Sequence, residues 1–308
     1  MKFPTYAAVF AVLCQSAQAI ILYGAGNGTN LTDPESGLPF DIVARVSSTQ
    51  VFQDGGSGVH LGNGFMLTAA HIGNSQLNSV TFDGSTFYSR DMSYIPQRIG
   101  DTDLKIFKVN STPTVGSALL YDGIAELSNE AYLVGWGRQR AVGEPLNSAS
   151  VQIAAGGTPL IKRWGTNDPN RTISSFTYTN ASVTYTYDAL ETTLGSTTGI
   201  PGGTGDFEAA ATTRDSGSGF FQNIGGRWYL TGLTSLILQQ EAGHVTFGND
   251  LQWVGTTPTG YSALPGTGDP NVFVRISSYT TDIYALIPEP SSLLLSLASL
   301  GLLLRRRR

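Results

Sequence analysis

Cysteine is almost absent: among 308 residues only Cys14 carries a thiol. Cys14 lies in an apolar stretch at the N-terminus, so a chain that loses this stretch has no thiol and no disulfide. A cysteine nucleophile and cysteine-ligated zinc are thereby excluded. Stability must come from packing alone, which this length permits. Histidine is nearly as scarce, with only His60, His71 and His244. No H-E-x-x-H or similar metal spacing occurs. His60 and His244 read as surface or loop residues, and neither a metal nor another cofactor is expected. No long stretch shows helical 3.6-residue periodicity before the C-terminus. What is there instead is glycine, 37 of it, and short apolar runs broken by Gly, Asn, Asp and Pro. "SVTFDGSTFYS", "AYLVGWG" and "SVTYTY" are examples. That pattern predicts an all-β protein with many hairpins.

Both ends look like processing signals. Met1 and Lys2 precede an apolar run from Ala7 to Leu13, then "QSAQA". Small residues at Ala17 and Ala19 predict a secretory signal peptide over 1–19, cut after Ala19 by signal peptidase. At the other end Pro288-Glu289-Pro290 precedes an apolar segment, Ser291 to Leu304, and four arginines. That segment is hydrophobic all round, so it seeks lipid, and the arginines favour the cytoplasmic side. The three parts resemble the bacterial PEP-CTERM sorting signal. The resemblance implies a sorting helix over 288–308, transient membrane contact through 291–304 and cleavage by an exosortase-type enzyme. The expected location is the cell surface or extracellular matrix of a bacterium. Removing Lys2 and the four terminal arginines takes Lys+Arg from 18 to 13, and removing Glu289 takes Asp+Glu from 23 to 22. The exported part is then near −9, which argues against a nucleic-acid partner.

Between the signals, 20–287 reads as one unit with no internal repeat or clear linker. Residues 191–206 read as a long surface loop, and 239–270 as a second loop-rich stretch. Three segments carry chemistry together. "GNGFMLTAAHIG" (62–73) is an apolar strand running into His71, "DTDLKIFKV" (101–109) is a strand beginning at Asp103, and "TTRDSGSGFF" (212–221) holds Ser216 and Ser218. A serine hydroxyl is a weak nucleophile that needs a base in hydrogen-bond reach, and the base needs an orienting carboxylate. Histidine suits the role. Singly, His71 fits a core histidine, Asp103 a strand start and Ser216 a turn residue. All three in these contexts point to catalysis.

His71, Asp103 and Ser216 in that chain order resemble the chymotrypsin-like, trypsin-fold serine peptidases, whose triad is a worked general template. "TAAH", "DLKIFKV", "VGWG" (134–137), "RDSGSG", "WYLTGLTS" (228–235) and "NVFVRISSYTTDI" (271–283) occur in the family's order. The resemblance implies two antiparallel six-stranded β-barrels, a boundary near 125–135, a short C-terminal helix and endopeptidase activity on proteins or peptides. It further implies an oxyanion hole from the backbone N–H groups of Arg214 and Ser216, and support of Asp103 by Ser235. Asp215 would pair with a new amine at Ile20 after cleavage behind Ala19. A further cut, for example before Ile42, is the other route to a mature start. The sequence departs from the family in four places, the first being Ile72, where cysteine usually follows the histidine. Arg214 stands where glycine is usual, so a Gly-favoured backbone there would be strained. Ala210 replaces the trypsin-like aspartate six residues before the nucleophile, and Leu236-Ile237 replace a common Trp-Gly. No trypsin-like preference is expected; small or medium apolar side chains are expected before the cut bond. An esterase with the same triad and a non-catalytic surface protein keeping the fold remain alternatives.

Overall fold

The computed structural model describes residues 20–25, 28–35, 37–51, 54–147, 150–154, 160–194, 205–237, 244–246 and 270–287. The expected signal peptide with Cys14, the sorting signal from Pro288 onward and most of 239–270 lie outside the described residues. No described helix is long and apolar enough to cross a membrane.

The chain opens with β1 (Ile21–Leu22). The first sheet then forms from β2 (Val43–Ser47), β3 (Gly56–Gly62), β4 (Phe65–Ala69), β5 (Ser79–Thr81), β6 (Tyr88–Ser89), β7 (Gln97–Arg98) and β8 (Leu104–Lys108), in spatial order β6-β5-β2-β3-β4-β8-β7. After the connection from 109 to 130 come β9 (Ala131–Gly135), β10 (Ser150–Gln152), β11 (Arg163–Asn167), β12 (Pro169–Asn180), β13 (Val183–Thr192), β14 (Ala209–Ala210), β15 (Gly219–Ile224), β16 (Arg227–Ile237), β17 (His244–Thr246) and β18 (Asn271–Arg275). Seven of these build the second sheet, in order β11-β9-β15-β16-β18-β13-β12. Two small pairs, β1 with β14 and β10 with β17, lie beside it. The one described α-helix is α1 (Thr280–Ala285), preceded by a 3-10 turn. The all-β expectation therefore meets two seven-stranded antiparallel sheets, not six strands each, and few helices. The extra strand in the second sheet is β12, which the long hairpin β12–β13 adds at its edge.

Burial follows the pairing. The inner half of β13 lies between β12 and β18 and is buried throughout from Ala189 to Thr192, whereas its outer half pairs only with β12 and alternates. Tyr185 and Tyr187 are buried there and Thr184 and Thr186 are exposed, as a half-covered strand requires. The expected surface loop from 191 begins differently: Glu191 is still in the strand, next to its last residue, fully buried and held by a two-pronged bond from Arg171. The largest apolar cluster draws on both sheets, with Val43, Val59 and Leu67 from the first and Val134, Phe221 and Leu230 from the second. The indole N–H of Trp136 crosses to the carbonyl of Val43 at 3.1 Å. The sheets thus share one core, and their facing edges frame a cleft.

Candidate active site

Register places the first two residues. β4 pairs with β8 so that Ala69 faces Leu104. The residues just beyond, His71 and Asp103, are therefore neighbours although 32 positions apart. Asp103 is fully buried. Its Oδ1 accepts the His71 backbone N–H at 2.9 Å, and its Oδ2 accepts Nδ1–H of the same histidine at 2.8 Å. That bond leaves Nε2 of His71 as the acceptor, and Ser216 Oγ lies 2.8 Å from it.

A stitched loop presents Ser216. Asp215 N–H donates to Thr212 and Ser218 N–H to Asp215, at 3.0 and 2.8 Å. Gly217 takes φ +82° and donates to the carbonyl of Thr234 at 2.8 Å. A Cβ on Gly217 would sit 2.2 Å from the Ser57 carbonyl, so only glycine fits. From the first sheet, Ser57 N–H donates to the Ser216 carbonyl at 2.8 Å. Among the described residues, the N–H groups of Arg214 and Ser216 have no acceptor within the protein. Arg214 runs at φ +81°, the conformation that favours glycine. Its guanidinium turns away to the first sheet, bonding the carbonyls of Asp54 and, at 3.2 Å, Gly55.

Asp215 is wholly buried behind this loop. Its Oδ1 accepts Gly137 N–H at 2.7 Å and the Ser218 hydroxyl at 3.3 Å. Its Oδ2 accepts the N–H and hydroxyl of Thr212 at 2.8 and 3.0 Å. Burial pushes its carboxyl up to about 6, against the pull of those donors. Ser218, a small turn residue by its sequence context, is thus also a donor to Asp215. Ile20 is fully buried, and the adjoining β1 pairs with β14 with Ile21 facing Ala210. The same pairing sets Ala210 into a cluster with Ile21, Tyr23 and Val151, so its side chain is not among those lining the cleft. Ala211, Thr212 and Thr213 line the cleft instead, together with Thr234, Ser235, Leu236, His71 and Ser216. Three consecutive residues of β16 reach one cleft because the register slips between Thr234 and Leu236, a bulge at Ser235. Ser235 Oγ accordingly reaches Asp103 Oδ2 at 2.6 Å. Ile237 pairs with Asn271 at the end of β16.

Three residues beside the candidate site escape sequence reasoning: Tyr178, Asn180 and Tyr187, all on the β12–β13 hairpin. Tyr178 and Asn180 line the cleft. The Tyr178 hydroxyl donates to Asp103 Oδ2 at 2.8 Å, and that of Tyr187 to Ser235 Oγ at 2.7 Å. The alternation in "SVTYTY" marks a strand, but nothing local says whose carboxylate its tyrosines meet. His60 corrects an expectation: it is buried in β3, with Nδ1 2.6 Å from the Gly116 carbonyl, and burial pulls it below the usual histidine range. His244 is half-buried in β17 opposite Gln152. Among the described residues no group of His, Cys, Asp and Glu is arranged to hold a metal ion.

No family model matches the chain, and no curated protein does. Among solved structures it is similar to the inactive form of the Rv3671c protease, at 12% identity and a TM-score of 0.45, over 81% of this chain and 91% of that one. It is similar also to neuropsin, described as a serine protease expressed in the limbic system of mouse brain, at 16% identity and a TM-score of 0.46, over 84% of this chain and 98% of that one.

Proposed function

We propose that the chain is an exported serine endopeptidase that cuts peptide bonds through an acyl-enzyme. One observation carries this reading: the unbroken series Asp103 Oδ2, His71 Nδ1, His71 Nε2, Ser216 Oγ, with 2.8 Å at each hydrogen bond. Ser216 Oγ attacks the peptide carbonyl carbon while its proton passes to Nε2 of His71. The protonated imidazole, held by Asp103, then gives that proton to the departing amine. Water, deprotonated by the same nitrogen, releases the acyl group and restores the serine. The unpaired N–H groups of Arg214 and Ser216 are the donors available to the developing oxyanion. No cofactor enters the cycle. Substrates are proteins or peptides without a basic residue before the cut, since among the described residues the cleft lining offers hydroxyls, Asn180 and apolar groups but no carboxylate. The sequence signals support signal peptidase and an exosortase-type enzyme as processing partners and the cell surface or matrix as the destination.

The φ of Arg214 favours a second reading, a surface or matrix binding protein that retains the fold with little catalysis. A fluorophosphonate probe separates the two. Labelling of the parent and none of Ser216→Ala supports the peptidase. An unlabelled parent that also leaves casein intact removes it.

A further inference from the structure

The β12–β13 hairpin does more than extend a sheet. β12 carries a register slip between Ile173 and Phe176, with Ser175 at φ +54° inside it. Such a bulge bends the strand and re-aims the residues beyond it. The outer half then leans across to the first sheet, where Thr186 N–H donates to Asp101 at 2.8 Å and Arg98 donates to Thr184 at 3.0 Å. The Arg98 guanidinium also lies 4.5 Å over the ring of Tyr185. Tyr178 is thereby pressed between Tyr185, stacked at 5.1 Å, and Tyr187, edge-on at 6.2 Å. In that slot its hydroxyl has little freedom. It lies 2.8 Å from Asp103 Oδ2 and 3.2 Å from His71 Nδ1.

We propose that Tyr178 is a positioning residue of the triad: its hydroxyl ties the Asp103 carboxylate and the His71 imidazole into one fixed plane. This rests on the peptidase reading of the same site. The carboxylate is buried, so its charge must be met by donors. Ser235 and Tyr178 both supply Oδ2, and Ser235 is itself backed by Tyr187. A hydroxyl that donates to Asp103 and accepts from Nδ1–H of His71 limits the rotation of either, and fixed geometry is what intramolecular proton transfer rewards. Tyr178 touches no reacting atom; it acts through Asp103 and His71.

The test is Tyr178→Phe, which keeps the ring between its neighbours and removes only the hydroxyl. Fluorophosphonate inactivation is measured as a maximal rate and a half-saturating concentration. The expected result is a maximal rate about tenfold lower with the half-saturating concentration unchanged, as for the loss of one bond to a charged group. Tyr185→Phe is the packing control, since it alters the same slot without a donor to Asp103, and it should label like the parent. The downfield proton line of His71 Nδ1–H gives a readout independent of activity: it should broaden in Tyr178→Phe through faster exchange with water. An unchanged maximal rate, a change confined to the half-saturating concentration, or an equal loss in Tyr185→Phe overturns the proposal. If the parent itself does not label, the peptidase reading fails, and an unaltered proton line in the variant then rejects the positioning role separately.

Discussion

Arg214 occupies a backbone conformation that a Cβ makes costly, φ +81°, two residues before Ser216. A non-glycine residue there costs about 1–2 kcal/mol. Its guanidinium offsets part of this cost by bonding the carbonyls of Asp54 and Gly55 across the cleft. Burial holds that guanidinium below the ordinary arginine range, with Arg138 adding repulsion, and its Nε is buried without a partner. Two substitutions separate backbone from side chain. Arg214→Ala keeps the strain and loses the clasp; Arg214→Gly loses both. Glycine should therefore be the more stable of the two by about 1 kcal/mol in urea unfolding, although glycine usually loses to alanine. Equal midpoints would show that φ at this residue carries no strain. The presence of arginine at the glycine position was legible in the sequence, and so was its backbone cost. Its partners were not, because Asp54 and Gly55 lie about 160 residues away along the chain.

At the scale of elements, β1 packs with the strand that leads into the loop of Asp215. Ile20 is buried beside β14, and Asp215 is buried four residues beyond Ala211, which packs in the same cluster as Ile20. With a peptide bond before Ile20 there is no amine, and the Asp215 carboxyl sits at about 6 against an ordinary 3.8. The fold then binds a proton that the unfolded chain releases between those values. Stability from this group is complete below about pH 4 and is lost as pH rises through 6, by roughly 3 kcal/mol. The full chain should therefore lose stability from pH 4 to 6 relative to Asp215→Asn, whose curve lacks that slope. Under the Ile20–Asp215 pairing that the family resemblance implies, a chain beginning at Ile20 brings a cation to the carboxylate, and the slope should vanish. Urea midpoints at several pH values check both, and a chain starting at Ile20 that keeps the slope would sink the pairing. The elements that carry the triad were legible because each has a local signature, a strand ending in "TAAH", a strand after Asp103 and a small-residue turn at Ser216. The β12–β13 strap was legible as strands but not as a strap, since its bulge and its docking on Arg98 and Asp101 arise only when both sheets are in place.

For the whole molecule, the cleft is a property of two sheets meeting and not of any one segment. Ser57 joins them twice: its N–H bonds the Ser216 carbonyl, and its hydroxyl accepts the Trp136 N–H at 3.0 Å. Counting back from Ser216 picks out Ala210 as a pocket residue, but strand pairing with Ile21 turns it into the core, and the wall passes to the next three residues. Among the described residues neither Ala210 nor the cleft wall brings a carboxylate to the cleft, and the proposed non-basic preference rests on that wall. Leu236 narrows the opposite wall, and Thr212 and Thr234 add hydroxyls with small methyl groups. A Lys or Arg side chain entering there would find no counter-ion among the described residues that line the cleft, a burial costing several kcal/mol. A methyl or isopropyl group, by contrast, gains by leaving water. Peptide p-nitroanilides that differ only in the residue before the cut should be hydrolysed best with Ala or Val, and at least tenfold more slowly with Arg or Lys, a difference of about 1.4 kcal/mol in barrier. Faster turnover of the basic substrates would mean that Asp215 or another carboxylate reaches the cleft, and would reject this account of its walls.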